Sequence, residues 1–252
     1  MLQVIQARLL QGHRTIPFPK AEPVVPDRLR GLPRLEPSRC PAECRRCAEA
    51  CPVACVHHHD GRLTLDLGQC LFCGACQRAC PSGALAFTNG TSLATRRRDD
   101  LVLQGQELQR AEALGKELRR LFGRSLKLRQ VSAGGCNGCE VDINVLGTPV
   151  FDMGRFGLQV VASPRHADAM IVTGPVTENM RLGLQKTYEA MAAPKLVIAC
   201  GACAISGGPF RDHDEVHNGV GSLIPVDLFI PGCPPHPITI LDGLLRLLGR
   251  SR

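Results

Sequence analysis

Cysteines crowd into one short stretch of this chain, and their spacing constrains the fold more than any other feature. Nine of the 14 cysteines lie within residues 40–81. Residues 70–81 have the spacing Cys-x2-Cys-x2-Cys-x3-Cys-Pro, and residues 40–52 repeat this spacing with one extra residue between the first two cysteines. The backbone of both runs must therefore turn tightly, so that neighbouring thiols can converge on a common centre.

The two runs predict two cubane iron–sulfur clusters. Their spacing is that of bacterial ferredoxins, in which the fourth cysteine of each run, stopped by a proline, binds the cluster of the other run. Cys55 aligns with Ala84 of the second run and is interpreted as a small buried core residue. The predicted ligand sets are Cys40, Cys44, Cys47 and Cys80 for one [4Fe-4S] cluster, and Cys51, Cys70, Cys73 and Cys76 for the other.

Two other interpretations of these cysteines are open. Paired Cys-x2-Cys runs also suit tetrahedral zinc, although a zinc site needs four cysteines and here two near-identical sets of four each end in Cys-Pro. A disulfide framework is disfavoured by the chain length and because residues 1–10 do not resemble an export signal. So many free thiolates favour the reducing cytoplasm, and no apolar run approaches the length of a membrane span.

The formal net charge of +7 does not require a nucleic-acid partner. An oxidised four-iron cluster with its four thiolates carries about −2, so three clusters would bring the chain close to neutrality. A zinc-stabilised module that binds nucleic acid is the alternative from another functional class. It is disfavoured because the chain has one Tyr, no Trp and eight scattered Phe, which leaves no aromatic-rich basic stripe. No nucleic-acid partner is therefore expected.

Composition and spacing divide the chain into four predicted segments. These are an extended proline-rich arm over residues 1–39, a ferredoxin-like domain over residues 40–90, a linker with an amphipathic helix over residues 91–125, and a cluster-binding domain over residues 126–252. The arm has no sustained helical or strand period, so it is expected to be disordered or to lie across a partner.

Three local interpretations accompany this division. The adjacent imidazoles of His57, His58 and His59 are expected in an exposed turn between the two ferredoxin halves. Arg96, Arg97 and Arg98 are interpreted as a solvated linker. The amphipathic helix is predicted from residue 99 to about residue 122, because leucines recur there at roughly helical spacing.

From residue 126 onward, short apolar strands alternate with helices, which predicts a parallel sheet covered on both faces. Strands are predicted at residues 126–131, 159–162, 169–173, 195–199 and 226–230, and helices at residues 141–146, 180–192 and 238–248. Because ligands bind beyond the carboxyl ends of such strands, the cysteines that follow three of them suit a third cluster. The predicted ligands are Cys136, Cys139, Cys203 and Cys233.

Three motifs in this segment resemble the proximal-cluster motifs of the small subunit of [NiFe] hydrogenases and of its relative in respiratory complex I. They are Gly-Gly-Cys-Asn-Gly-Cys-Glu at residues 134–140, Cys-Ala-Ile-Ser-Gly-Gly at residues 203–208 and Pro-Gly-Cys-Pro-Pro at residues 231–235. The resemblance implies that Cys136, Cys139, Cys203 and Cys233 hold the proximal [4Fe-4S] cluster. It also implies that Cys200 is a core residue beside the site.

The Cys-x2-Cys form of the first motif is similar to that of membrane-bound energy-converting hydrogenases and formate hydrogenlyase, whereas complex I relatives carry adjacent cysteines there. Residues 13–90 resemble the separate ferredoxin-like subunit of the same complexes. The resemblance therefore implies an α/β chain that fuses two subunits. An N-terminal bacterial-ferredoxin-like domain is followed by a C-terminal flavodoxin-like parallel sheet with helices on both faces.

The implied function is that of an oxidoreductase subunit with no catalytic residue of its own. It relays electrons through three [4Fe-4S] clusters to or from the NiFe site of a partner large subunit. The resemblance implies other subunits of a membrane-bound complex, a redox donor such as a formate dehydrogenase or ferredoxin, and a place on the cytoplasmic face of the inner membrane. The alternative is the equivalent subunit of a complex I-like, quinone-linked oxidoreductase. Cys55 and Cys200 alone are too few for a nickel site.

Two further groups of side chains have open roles. Glu140 follows Cys139 directly, and it either passes protons towards the partner's metal site or hydrogen-bonds the loop. His213 and His217 flank Glu215 in a pattern that faintly resembles a metalloprotease helix. The surrounding glycines favour a loop there instead of a zinc site.

Overall fold

The computed structural model describes residues 2–59, 62–105 and 107–250, so Met1 of the predicted arm and residues 251–252 of the last domain lie outside the described part. The helices are α1 Leu2–Gln11, α2 Arg46–Glu49, α3 Ala75–Ala79, α4 Lys116–Phe122, α5 Gly138–Val145, α6 Glu178–Ala190, α7 Ala202–Ser206 and α8 Pro237–Leu247. The strands are β1 Pro33–Leu35, β2 Val56–His59, β3 Arg62–Asp66, β4 Leu85–Phe87, β5 Val102–Leu103, β6 Leu126–Ser132, β7 Leu158–Val160, β8 Ala169–Thr173, β9 Leu196–Cys200 and β10 Leu228–Ile230.

The C-terminal part is built on a five-stranded sheet with the order β10-β9-β8-β6-β7. All four strand pairs are parallel. Counted along the chain from β6, this is the 2-1-3-4-5 order of flavodoxin-like folds, read from the β7 edge. The predicted α/β class with a parallel sheet is confirmed.

Helices cover both faces of this sheet. Since alternate side chains of each strand point to opposite faces, the sheet contributes to two hydrophobic cores. In β8, Ala169 and Ile171 belong to one hydrophobic core together with residues of α5 and α8. Met170 and Val172 belong to a second core together with residues of α6 and α7. Every residue of β8 and β9 is buried, which explains why these strands read as continuous apolar runs.

The N-terminal module consists of two small antiparallel sheets, β1-β4 and β2-β3-β5, with α2 and α3 carrying the cysteine runs. Its core is continuous with that of the larger sheet, since Leu65 and Leu67 belong to the same hydrophobic cluster as Ile205 and Phe229. The Ser206 hydroxyl also donates to the Gly68 carbonyl oxygen at 3.0 Å. The cysteine turns are thereby held close to one end of the parallel sheet.

The expected exposed turn at His57, His58 and His59 is wrong. These residues belong to β2, which pairs with β3 in the register Val56 opposite Leu65. Val56 is buried while His57 is exposed, because successive residues of a strand face opposite sides. Adjacent imidazoles are therefore compatible with regular structure here.

Residues 91–98 do not form a solvated linker. Leu93, Ala94 and Thr95 are buried, and the backbone of Thr95 exchanges two hydrogen bonds with Phe229 of β10, at 3.0 and 2.9 Å. Arg98 donates two hydrogen bonds to Asp66, at 2.8 and 2.6 Å. Arg98 of the basic run is thus paired with Asp66 of the module, and the preceding Thr95 pairs with the sheet domain.

The helix predicted from residue 99 to about residue 122 is wrong over most of its length. A short 3₁₀ turn at Asp99–Leu101 is followed by β5, which pairs with β3, and only Lys116–Phe122 is helical. Leu101 and Leu108 pack in one core, whereas Leu114 packs in the other. Tertiary burial at separate places therefore overrides the apparent helical spacing.

The N-terminal arm packs largely on its own chain. None of the ten described residues of α1 is buried, but the arm then follows the sheet domain, where the Ile16 amide donates to the Val150 carbonyl oxygen at 3.0 Å. Further on, the Gly31 amide donates to the Thr88 carbonyl oxygen at 2.7 Å, and β1 pairs with β4 of the module. The helix α1 was not predicted from the sequence. Among residues 2–59, 62–105 and 107–250, no helix is both long and apolar enough to cross a membrane.

Candidate iron–sulfur cluster sites

The predicted cluster ligands form three groups, which take their names from their positions. The inner set is Cys51, Cys70, Cys73 and Cys76; the outer set is Cys40, Cys44, Cys47 and Cys80; the sheet set is Cys136, Cys139, Cys203 and Cys233. The first two lie in the N-terminal module and the third at the carboxyl end of the parallel sheet.

The inner set is built by a tight turn that leads into α3. Phe72 and Gly74 both have left-handed backbone angles, with φ of 53° and 72°, and α3 begins at the next residue. Burial raises the pKa of Cys76 to about 12, and the neighbouring thiols of Cys70, Cys51 and Cys73 contribute in the same direction. The thiol of Cys51, from the first run, is therefore close enough to act on Cys76 of the second run, and ligation by this interleaved set stays a prediction.

The outer set converges in the same way but nearer to the surface. Burial raises the pKa of Cys47, and the thiols of Cys40 and Cys80 raise it further. The extra residue in the first run is accommodated by a turn in which the Cys44 amide donates to the Pro41 carbonyl oxygen at 3.0 Å. Among the four thiols of this set, Cys47 is the buried one and the others are half-buried.

Cys55 is buried, as its alignment with Ala84 predicts, with 2% of its surface exposed. Its sulfur lies 3.4 Å from the sulfur of Cys51, and its backbone amide donates to the same sulfur at 3.3 Å. The hydrogen bond from the Cys55 side chain lowers the pKa of Cys51 to about 5. This arrangement favours a thiolate at Cys51 and a protonated thiol at Cys55.

The sheet set comes from three loops that follow β6, β9 and β10. Cys136 and Cys139 flank Asn137, whose left-handed φ of 70° starts α5. Cys203 lies in α7 and Cys233 follows Gly232. Burial raises the pKa of Cys203 to about 12, with contributions from Cys233 and Cys136, and partial burial, followed by the Cys203 thiol, raises the pKa of the half-buried Cys139. The topology thus gathers four thiols that are up to about a hundred residues apart in the chain.

The surroundings of the sheet set fit a cubane cluster. Gly201, with φ of +93°, approaches so closely that a β-carbon there would lie 2.5 Å from the sulfur of Cys139. Gly208, with φ of +56°, would place a β-carbon 2.8 Å from the sulfur of Cys203. Larger residues would displace the thiols, so both positions require glycine. Four thiolates are the donor set of a [4Fe-4S] cluster, and each of the three groups supplies four.

Glu140 is buried beside this site, with 6% of its surface exposed. Its Oε1 accepts hydrogen bonds from the hydroxyls of Ser132 at 2.6 Å and Thr173 at 2.7 Å. The predicted hydrogen-bonding role is therefore present, although no motif in the sequence points to these two donors. Proton transfer by Glu140 stays a prediction. Cys200 is fully buried, and burial raises its pKa well above that of an ordinary thiol, as suits the predicted core residue.

The two histidines near Glu215 have separate partners. His217 Nε2 lies 2.6 Å from Glu178 Oε2, whereas Nδ1 of His213 accepts a hydrogen bond from the Glu215 amide at 3.2 Å. The residues around them form turns and irregular loop. The loop interpretation of this segment therefore holds.

The inner set is the neighbour of the sheet set. After burial and Cys136, the thiols of Cys70 and Cys73 are the next causes that raise the pKa of Cys233. A crevice of about 150 Å³ lies between them, with Phe72 on one side and Pro231, Pro234 and Pro235 on the other. The sequence motifs do not reveal Arg30, an arm residue that donates to the Phe72 carbonyl oxygen at 2.5 Å.

Comparisons with known proteins agree with this geometry. Residues 136–247 match the family described as NADH ubiquinone oxidoreductase, 20 Kd subunit, and residues 63–86 match the 4Fe-4S binding domain. The first match contains the whole sheet set. The second contains Cys70, Cys73, Cys76 and Cys80, whereas the cysteines of the first run lie outside it.

Three curated relatives illustrate the similarity. A probable membrane-bound hydrogenase subunit of Pyrococcus furiosus is 42% identical over 147 residues, which cover 58% of this chain and 88% of that protein. Formate hydrogenlyase subunit 7 of Escherichia coli is 46% identical over 126 residues, or 50% of this chain and 49% of that protein. An NADH-quinone oxidoreductase subunit of Carboxydothermus hydrogenoformans is 50% identical over 110 residues, or 43% of this chain and 66% of that protein. The chain thus spans about half the length of the formate hydrogenlyase subunit.

Proposed function

Because this chain belongs to the family of the 20 kDa subunit of NADH ubiquinone oxidoreductase and carries a 4Fe-4S binding domain, we propose that it is the iron–sulfur electron-transfer subunit of a membrane-associated [NiFe] hydrogenase complex of the formate hydrogenlyase type. In this role it relays electrons through three [4Fe-4S] clusters. The electrons pass between a redox donor, such as a formate dehydrogenase or ferredoxin, and the NiFe site of a partner large subunit.

The proposal is carried by the closeness of the inner set to the sheet set. Electron transfer between two protein-bound groups requires a short separation, and Phe72, which lies between Cys70 and Cys73 in the chain, lines one crevice with Pro231 and Pro234 on either side of Cys233. The outer and inner sets share interleaved turns of one small module. Together the three sets form a continuous route from the module surface to the sheet domain.

The cysteines of the three sets differ in exposure, and the proposal gives the buried and the exposed ones different roles. A [4Fe-4S] cluster supplies one-electron chemistry, and the twelve thiolates of the three sets would hold three such groups. The sulfurs of Cys70, Cys76 and Cys203 are shielded from water because these residues are buried. Cys136 and Cys233 are exposed, which supports a partner large subunit covering this end of the sheet.

A position on the cytoplasmic face of the inner membrane, held there by partner subunits, is part of the same proposal. The Pyrococcus relative is named as a membrane-bound hydrogenase subunit. In this chain, attachment through partners would leave the cluster sites to face an aqueous donor.

A second candidate is the equivalent subunit of a complex I-like, quinone-linked oxidoreductase. The specific observation in its favour is the 50% identity to the Carboxydothermus NADH-quinone oxidoreductase protein. The Cys-x2-Cys spacing of Cys136 and Cys139 favours the hydrogenase branch, which is why that function is preferred. The complex purified with this chain separates the two, since nickel together with hydrogen turnover supports the first and nickel-free quinone reduction supports the second.

The cluster number is tested with the full chain prepared anaerobically and analysed for iron and by electron paramagnetic resonance. We expect about twelve iron atoms and three reducible centres per chain. Cys136→Ala should lower the iron content by about four atoms. Cys200→Ala is the matched control and should keep all of the iron, because Cys200 is a buried cysteine outside the sets. Fewer than three centres in the fully reduced wild-type chain would refute the proposal.

A further inference from the structure

The two halves of the N-terminal module differ at one buried position. Cys55 follows Cys51 by four residues, and Ala84 follows Cys80 by four residues. Both side chains are buried, with exposed fractions of 2% and 0%. The repeat therefore places a thiol beside the inner set where it places only a methyl group beside the outer set.

The Cys55 thiol lies against ligands of the inner set: it contacts Cys51 directly, and it also lies near enough to Cys70 to lower the pKa of that thiol. The sulfur of Cys55 lies 3.4 Å from that of Cys51, and the Cys55 amide donates to the same sulfur at 3.3 Å. A thiol is a weak but real hydrogen-bond donor. At the corresponding ligand of the outer set, the sulfur of Cys80 lies 3.7 Å from the hydroxyl oxygen of Ser82, and both residues are less buried. Cys51 is thus the ligand with an enclosed S–H donor.

We propose that Cys55 is a positioning residue that donates an S–H···S hydrogen bond to Cys51 and thereby raises the reduction midpoint potential of the inner cluster relative to the outer one. The proposal rests on the proposed function, in which the inner set holds a [4Fe-4S] cluster. It assigns to Cys55 a role other than packing and other than ligation.

The physical basis is the charge that reduction adds. One electron enters and the charge of the cluster with its thiolates goes from about −2 to about −3, while the proton stays on Cys55 and no covalent bond forms or breaks. A hydrogen bond to a ligand sulfur stabilises the more negative state more strongly, so it raises the potential. The effect is enhanced where water cannot compete, and here the donor Cys55 is buried while the acceptor Cys51 is half-buried.

The position of Cys55 also argues against ligation. Four cysteines of the inner set already converge, and Ala84 shows that the repeated backbone accommodates a residue without a donor atom at this point. Alanine at residue 55 is therefore expected to fold and to bind the cluster. This makes a substitution there a test of the hydrogen bond and not of assembly.

The experiment is an anaerobic redox titration of the full chain with its clusters, followed by electron paramagnetic resonance. Signals are assigned with Cys76→Ala and Cys47→Ala, which remove one ligand each from the inner and outer sets. In Cys55→Ala we expect the full iron content and a shift of the inner midpoint to more negative potential, with the outer midpoint unchanged. Cys55→Ser keeps a donor and should lie closer to the wild-type value.

The reciprocal variant supplies an independent test. Ala84→Cys introduces the thiol beside Cys80, and it should shift the outer midpoint to more positive potential without moving the inner one. An inner midpoint that does not move in Cys55→Ala at full iron content would overturn the proposal. So would a loss of about four iron atoms, because Cys55 would then be a ligand. A wild-type chain that lacks the inner cluster would instead refute the proposed function itself.

Discussion

The inner and outer cysteine sets have almost the same spacing, yet the folded chain surrounds them differently. In the inner set Cys70 and Cys76 are 4% and 6% exposed, while Cys51 is half-buried and Cys73 is exposed, and the sheet domain packs against the turn that carries Cys70 and Cys76. In the outer set Cys44 borders an open groove that is lined by charged residues such as Arg45 and Arg46. Local spacing thus determines which thiols converge, whereas the rest of the chain determines how far each set is shielded from water.

This difference gives the two sets different places in the proposed route. The outer set lies at the surface, where a redox partner can approach, and the inner set lies between it and the sheet set. Electrons from an external donor would reach the outer set first and the sheet set last. This order of electron transfer can be tested by substituting one ligand cysteine in one set at a time.

The largest effect is expected from Cys76→Ala, which removes a ligand of the inner set. We expect a loss of about four of about twelve iron atoms and a sheet cluster that the redox donor no longer reduces, because the middle of the route is missing. The measurement combines iron analysis with rapid-freeze paramagnetic spectra after the donor is added. Cys47→Ala, in the outer set, is the counterpart: it should keep the iron of the inner and sheet clusters, which a small chemical reductant still reduces, but slow their reduction by the donor, because the entry point of the route is missing. Normal reduction of the sheet cluster in Cys76→Ala would show that electrons bypass the inner set.

A smaller effect is expected at the ion pair between Asp66 of β3 and Arg98, which belongs to the segment that also pairs with β10 through Thr95. Asp66 is 7% exposed, accepts two hydrogen bonds from Arg98 and accepts a third from the Gly68 amide at 2.8 Å. Arg98→Gln should lower the free energy of unfolding by about 2–3 kcal/mol, since it leaves a largely buried carboxylate without its cation.

The control for this variant is the neighbouring exposed arginine. Arg97→Gln should change the free energy of unfolding by no more than about 0.5 kcal/mol, as is usual for surface substitutions. Denaturant unfolding followed by circular dichroism gives both values. If the two substitutions lowered the free energy of unfolding equally, total charge, and not the Arg98–Asp66 contact, would account for the loss of stability.

The approach of these cysteines to one another could be predicted from sequence because their geometry is local or follows from strand order, and their role as ligands stays a prediction. The two cysteine runs define the inner and outer sets. The apolar run at residues 169–173 predicted the strand β8 with its observed bounds. Residues 91–125 could not be predicted, since Leu101 and Leu114 gain their burial from different cores. Arg30 lies in an arm without periodicity, and its contact with Phe72 depends on how that arm crosses the module.

The smallest effect concerns the stability of the clusters towards an iron chelator, and it tests the comparison of shielding directly. A hydrophilic chelator must reach the ligand sulfurs, and the outer set offers three half-buried thiols, whereas in the inner set Cys70 and Cys76 are buried, Cys51 is half-buried and Cys73 is exposed. We expect the outer signal to decay first and the inner signal to decay several-fold more slowly, because local opening is needed to expose it. The same decay measured in Arg98→Gln extends the test: if the sheet domain shields the inner turn, loosening that contact should bring the inner decay closer to the outer one. Inner loss that precedes outer loss in the wild-type chain would contradict the proposed order of the two sets.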